Sequence, residues 1–278
     1  MKRPLSDKIA LVTGGSRGIG YAIAEAYLRA GARVIICARD KKKLQTATDD
    51  LRGAGEVLGI SCDVSRLESV FGLVGAIVKR HGKIDLLVNN AAVGMTYGRV
   101  ADIDPIRWAE VICTNLIGTF YCCHAVLPYM MKQKSGGIIN LKGYGAAFPS
   151  PRVTAYGASK AGVKSFTRSL AREYKDTGIC VNLLSPGIVK TSLLINRDAS
   201  AEGAAYLERM RPFIDHLAQD ADDAARLAVK IAEQSMQGTT GKEFRVRSKT
   251  SWLFSVAGYA LKQLANRITG RTAQDVKR

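Results

Sequence analysis

Short runs of β-branched and aliphatic residues alternate along this chain with longer stretches whose apolar residues recur every three to four positions. That alternation constrains the fold more than any other feature. The runs are KIALVTG (8–14), ARVIICA (32–38), VLGISCD (57–63), IDLLVNN (84–90), GGIINL (136–141) and GICVNLLSP (178–186). Consecutive rather than alternate positions are apolar, as in strands covered on both faces. Residues 19–30, 65–79, 105–132 and 156–175 have helical spacing between them. A β-α-β-α succession requires right-handed crossovers, so the expectation is α/β, a doubly wound parallel sheet with helices on both faces. A helix at about 222–234 and a strand within TTGKEFRV (239–246) would complete it.

With 278 residues, 47% of them hydrophobic, the chain can bury a substantial core, and no Pro-, Ser- or Gly-rich linker divides it. We expect one domain over residues 1–247, with a lid at about 188–220 and a basic C-terminal extension from 248 to 278. In that extension Trp252, Leu253, Val256, Tyr259, Leu264 and Ile268 lie at near-helical spacing. Such a stripe commonly docks on its own domain or a neighbouring subunit, in preference to a membrane surface.

The net charge of +17 is spread along the chain, with one dense internal run, RDKKK (39–43), and a basic tail. Without a basic groove interleaved with aromatics, no nucleic-acid role is expected. Six cysteines stand in apolar segments without metal-ligand spacing, and only three histidines accompany them. Buried reduced thiols in a cytoplasmic protein are the expectation, with no metal. No run of about 18 apolar residues predicts a membrane span.

TGGSRGIG (13–20) follows the first strand and opens the first helix. There Gly14, Gly18 and Gly20 would let backbone amides approach a pyrophosphate at a helix N-terminus, the arrangement of a Rossmann fold. At the end of the second strand a carboxylate would favour NAD, but the chain reads Ala38-Arg39. Arg39, helped by Arg17 and Lys43, suits a 2′-phosphate and so NADP(H). The competing possibility is that Asp40, one position late, still takes the ribose.

Tyr156 and Lys160 lie four residues apart at the start of a helical stretch and share a face. Together TGGSRGIG, CDV (62–64), NNAA (89–92), Asn115 in TNLIGTF, YGASK (156–160) and SPG (185–187) resemble the short-chain dehydrogenase/reductase family over roughly residues 6–247. The resemblance implies that Tyr156 exchanges a proton with the substrate oxygen while hydride moves between the nicotinamide and the adjacent carbon. It also implies that Lys160 stabilises the phenolate and bonds the nicotinamide ribose, and that Asn115 holds a water linking Lys160 to solvent. Cofactor contacts are implied for Gly14, Ser16, Arg17, Gly18, Ile19, Gly20, Arg39, Asp63, Val64, Asn89, Tyr156, Lys160, Pro186, Gly187, Ile188 and Thr191. Homodimers or homotetramers built on the helices at 105–132 and 156–175 are implied as well.

The chain departs from the family pattern where a serine usually polarises the substrate oxygen, thirteen residues before Tyr156, and carries Gly143. A lost oxyanion donor costs about 2.7–4 kcal/mol. Three readings follow, in order of preference. Tyr144, Lys142, Ser150 or a substrate hydroxyl replaces the donor; or the substrate is an imine or iminium that needs none, with Gly143 also making room; or the protein is a non-enzymatic NADPH-binding sensor or structural partner. Ala92 stands where the family has Gly. The pocket walls are expected from Val93–Tyr97, from Gly143, Tyr144, Ser150 and Arg152, and from the lid, with Arg152 available to a substrate anion.

Overall fold

The structure, a computed structural model, describes residues 3–94, 97–143, 151–189 and 201–248, with Gly258, Tyr259 and Leu261. Its strands are β1 (Ile9–Thr13), β2 (Arg33–Ala38), β3 (Val57–Ser61), β4 (Leu86–Asn89), β5 (Gly136–Leu141), β6 (Ile179–Ser185) and β7 (Glu243–Arg245). They form one sheet in the order β3-β2-β1-β4-β5-β6-β7, every pairing parallel. The chain runs outward from β1 to β3, then crosses back to pair β4 with β1. A doubly wound sheet opens a crevice at such a reversal, beyond the carboxyl ends of the two strands.

Alternate side chains of each strand serve opposite faces. From β1, Ala10 and Val12 join Val34, Ile36, Leu86 and Val88 in one core, covered by α1 (Gly18–Arg29) and α8 (Ala221–Met236). Ile9 and Leu11 join Ile35, Leu87, Ile138 and Val181 in the other, covered by α3 (Leu67–His81), α5 (Gly118–Gln133) and α6 (Thr154–Glu173). Each fully buried aliphatic side chain contributes about 1.5–3 kcal/mol. Truncation of Leu11, with no exposed surface, would cost about 2–5 kcal/mol.

Local chemistry sets the helix ends. Asp40 caps α2 (Lys41–Leu51) by accepting from the Lys43 N–H at 3.1 Å. Asp104 caps α4 (Pro105–Ile112) in the same way, with Pro105 in the first turn. Gly82, at φ +75°, ends α3 after Lys79 and Arg80, whose charges suit the negative end of the helix dipole.

The helix expected at 105–132 is interrupted. Between α4 and α5, Cys113–Ile117 forms a π-helical turn, and its extra residue widens the helix where Asn115 projects. The rod Pro105–Gln133 is long and apolar enough by composition to cross a membrane, but more than half of its apolar window is buried inside the domain.

The lid region contains α7 (Ala201–Leu217), and residues 190–200 lie outside the described residues. Most of the C-terminal stripe lies outside them too. Tyr259 nevertheless meets α7, edge-on to Phe213 at 5.3 Å and 5.4 Å from His216.

Candidate active site

The crevice is tied together at its floor. Thr13 Oγ1 accepts from the Asn90 and Ala91 N–H groups at 3.1 and 3.0 Å, and Asn90 Nδ2 donates to the Thr13 and Gly14 carbonyls at 2.9 and 3.1 Å. This holds the ends of β1 and β4 close. Gly14 has φ +64°, and a Cβ there would lie 2.8 Å from the Ala91 Cα; a Cβ on Gly20 would overlap the Asn90 amide and the Gly14 carbonyl. Only glycine fits at these two positions. Arg17 precedes α1 and makes no side-chain cap, so the first N–H groups of the helix are left for an anion.

Above the floor lies a cavity of about 430 Å³. Gly14, Ser16, Arg17, Gly18 and Ile19 line it on the turn; Cys37, Ala38, Arg39, Asp40 and Lys43 line it beyond β2. Cys62 and Val64 close it beyond β3, with Asn90–Val93 and Thr114 opposite. The Asp40 carboxylate is already engaged, by the Lys43 N–H and by the Lys43 ammonium at 3.0 Å. These contacts hold it below the usual carboxylate range, the backbone bond contributing most.

Tyr156 and Lys160 stand in the first turns of α6, 7% and 4% exposed. Lys160 Nζ donates to the Leu141 carbonyl at 3.1 Å and sits 5.8 Å from the Tyr156 ring centroid. Burial alone lowers the ammonium to about 8. Burial, with a smaller contribution from Tyr97, raises the phenol to about 12. Tyr97 is itself buried and raised to about 12, by burial and then by Tyr206. Asn115 has no exposed surface; its Oδ1 accepts from the Val93 N–H at 2.9 Å and its Nδ2 donates to Ser159 Oγ at 3.3 Å. Ser159 Oγ in turn donates to the Tyr156 carbonyl at 2.8 Å. The π turn, the loop after β4 and the start of α6 are thus pinned to one another. A buried phenol, ammonium and amide, joined through the Val93–Asn115 bond to an anion-receptive crevice, can pass a proton beside a bound nucleotide.

The short chain dehydrogenase family model matches residues 8–202. This chain belongs to that family. The 3-oxoacyl-(acyl-carrier-protein) reductase FabG of Chlamydia pneumoniae is 37% identical over 235 residues, 83% of this chain and 91% of that protein. Dehydrogenase/reductase SDR family member 4 of Bos taurus is 35% identical over 192 residues, 69% of each chain. The crystal structure of a metagenomic short-chain oxidoreductase in complex with NADP matches with a TM-score of 0.73 at 31% identity, covering 87% of this chain and 98% of that one.

Several expectations need correction for this short-chain dehydrogenase. Asn89 does not line the cavity: its Nδ2 donates to Asn140 Oδ1 at 2.8 Å and to Cys123 Sγ at 3.3 Å, inside the sheet. Alternation along β4 turns Asn89 inward, and Asn90 lines the crevice instead. Asp63 Oδ1 accepts from the Ser65 N–H and hydroxyl at 3.0 and 2.7 Å, and Val64 beside it lines the cavity. Lys142 cannot serve as a donor to substrate: its buried ammonium donates to Glu243 Oε1 at 2.6 Å, on β7. Arg152, at φ +67°, is held by Glu202 at 2.7 Å and lies over the Tyr206 ring at 5.2 Å, so its charge is already met.

Gly143, two residues beyond β5, lies against Tyr156, whose phenol fills the space a side chain at 143 would enter. The glycine therefore opens no room for a bulky substrate group. Pro186, Gly187 and Ile188 follow β6, where the Ile188 carbonyl accepts from the Gln219 N–H at 2.8 Å. Tyr144, Ser150 and Thr191 lie outside the described residues. Sequence reasoning missed Ser159 as the link between Asn115 and Tyr156, and it placed Tyr97 only in a wall. The YGASK motif contained Ser159, but no spacing rule distinguishes it from a solvated helix position.

Proposed function

We propose that this protein is an NADP(H)-dependent oxidoreductase acting on a carbonyl or the corresponding alcohol. The observation that carries the reading is the buried Tyr156–Lys160 pair, with Tyr156 in a cluster packed against Val93 of the glycine-lined crevice. The crevice fits the cofactor: Gly14 and Gly20 leave no room for a Cβ, and the α1 amides are free of a side-chain cap. Arg39, Lys43 and Arg17 ring one end, where they would hold a 2′-phosphate, while Asp40 is committed to capping α2. A relative crystallised with NADP supports the same preference.

When bound, NADP(H) supplies or accepts the hydride. The rest of the chemistry belongs to the chain. Its phenol held near 12, Tyr156 is protonated at neutral pH and donates to the substrate oxygen in the reductive direction. Lys160, charged below about 8, stabilises the phenolate left behind and bonds the ribose. Asn115 and Ser159 fix Tyr156 from behind, keeping the proton donor in one position. Tyr97, buried and close enough to raise the Tyr156 phenol, would provide the second hydroxyl that Gly143 lacks.

The exposed rings of Phe71 and Phe120, grouped with His124 and Phe166 on α3, α5 and α6, support assembly with further copies of the chain. The deciding experiment measures NADPH oxidation with 3-oxoacyl thioesters, which the Chlamydia pneumoniae relative is named for, and with aryl ketones and cyclic imines. Turnover that disappears in Tyr156→Phe, with NADPH binding intact, is the expected result. Failure of NADPH to bind, or full turnover in that variant, would refute the proposal.

A further inference from the structure

Leu141, Lys142 and Gly143 carry the chain out of β5, and each meets a different partner. The Leu141 carbonyl accepts from Lys160 Nζ at 3.1 Å. Lys142 sends its ammonium to Glu243 Oε1 at 2.6 Å, and Gly143 lies against the Tyr156 phenol. Three consecutive residues therefore touch both members of the Tyr156–Lys160 pair and a carboxylate on the edge strand β7.

The Leu141 carbonyl and the Lys142 N–H belong to one planar peptide group and point opposite ways. On one side the N–H donates to the Leu184 carbonyl of β6 at 2.8 Å. On the other side β4 stops at Asn89, opposite Asn140, so the Leu141 carbonyl has outrun its neighbouring strand and Lys160 takes it. The pairing of β5 with β6 ends here too, at Leu141 opposite Leu184. Past that point the Lys142 side chain, 2% exposed, extends the hold to β7. Its anchor is itself fixed, because Glu243 Oε1 also meets Arg245 at 2.6 Å and Oε2 lies 3.9 Å from Arg168 on α6.

We propose that Lys142, anchored by Glu243, is a positioning residue for the reaction: it fixes segment 141–143 and, through it, the places of Lys160 and Tyr156. This rests on the assignment of the reaction to that pair. A peptide group free to rock about its last strand bond would shift the ammonium and the phenol together, and rate falls steeply with such misplacement. A pair that served stability alone would behave differently in Lys142→Met. Methionine keeps a buried stem of similar length without the charge, and Glu243 retains Arg245, so no charge is stranded.

The full-length protein is compared with Lys142→Met, Glu243→Gln, the double variant and Ile77→Ala, a truncation of a fully buried side chain on α3. Lys142→Met is expected to melt close to wild type while kcat falls about tenfold or more. Its solvent deuterium isotope effect on kcat should rise, because a misplaced Tyr156 slows the proton transfer. Glu243→Gln should also lower kcat, and the double variant should be no slower than Lys142→Met. Ile77→Ala should lose stability and keep the wild-type kcat and isotope effect. Wild-type kcat in Lys142→Met, an unchanged isotope effect there, additive losses in the double variant, or the same kinetic changes in Ile77→Ala would each overturn the proposal. Amide exchange of the cofactor-free proteins, followed by NMR, gives a reading independent of turnover. Exchange at the residue-142 amide should be about tenfold faster in Lys142→Met, with β1 unaffected; equal rates at residue 142 overturn the anchoring. If wild type reduces no carbonyl with NADPH, the functional reading fails, and the exchange rates still judge the anchor.

Discussion

The Tyr156 hydroxyl stands where the side chain of residue 143 would begin: a Cβ built on Gly143 overlaps it and lies 2.7 Å from the ring carbon that bears it. The missing hydroxyl at 143 and the seating of the phenol are thus one arrangement. Adding the side chain back moves the proton donor.

Gly143→Ser is accordingly expected to lower kcat about 100-fold, the scale of an ångström-sized misplacement at a reacting centre. It should not bring the roughly 100-fold gain of a new oxyanion donor. Gly143→Ala should lose as much, since the clash begins at Cβ. Steady-state kinetics of the three proteins decide it; a serine variant faster than wild type would show that Tyr156 steps aside freely.

Tyr156→Phe should reduce kcat by about 10²–10⁴, the range for a lost general acid, with little change in NADPH affinity. Tyr97→Phe should cost about 100-fold in kcat if its hydroxyl meets the substrate oxygen. A Tyr97→Phe enzyme with wild-type kcat would remove it from the reaction.

Lys160 is held at about 8 in the fold, against 10.5 in its absence. Between those values the unfolded chain binds more protons, so this group makes stability rise with pH across that window. The burden of the buried charge is fully present below about pH 8 and gone above 10.5, a difference of about 3 kcal/mol. Denaturant titrations of cofactor-free wild type and Lys160→Met at several pH values should show the methionine variant's advantage shrinking from pH 8 upward. A constant difference would contradict the burial argument.

Arg39→Ala should weaken NADPH binding roughly 10- to 100-fold, the loss of one charge-assisted contact of about 1.5–3 kcal/mol. NADH affinity should stay the same. Fluorescence titration with both cofactors measures it, and equal losses for the two would move the phosphate contact elsewhere.

Glu243→Ala would strand the Lys142 ammonium, whose side chain is 2% exposed and paired with Glu243 at 2.6 Å. Removing one partner of such a pair costs about 3–5 kcal/mol. Equilibrium unfolding should show that loss, with Lys142→Met in the same chain recovering most of it.

Much of this was legible in the sequence. The strands and their parallel, doubly wound arrangement follow from doubly apolar runs separated by helical spacing, and the glycine turn from its place between a strand and a helix. The Tyr156–Lys160 pair follows from helical geometry. Directions of side chains were not legible. Asn89 and Asn90 are adjacent and chemically alike, and only the pleat of β4 decides which one meets the crevice. Lys142 looked available until β7 placed Glu243 beside it, a contact between positions 101 residues apart. The π turn around Asn115 left no mark in a helical pattern that its inserted residue hardly disturbs.

Asp40 has one carboxylate, and the start of α2 has claimed it. For protein engineering this sets the route to a switch in coenzyme preference. Neutralising Arg39 alone would weaken one dinucleotide without recruiting the other, because the nearest acid is in use as a helix cap. A designer seeking an NADH-linked catalyst would place a new carboxylate at Ala38, which already borders the crevice, and leave Asp40 to its structural task.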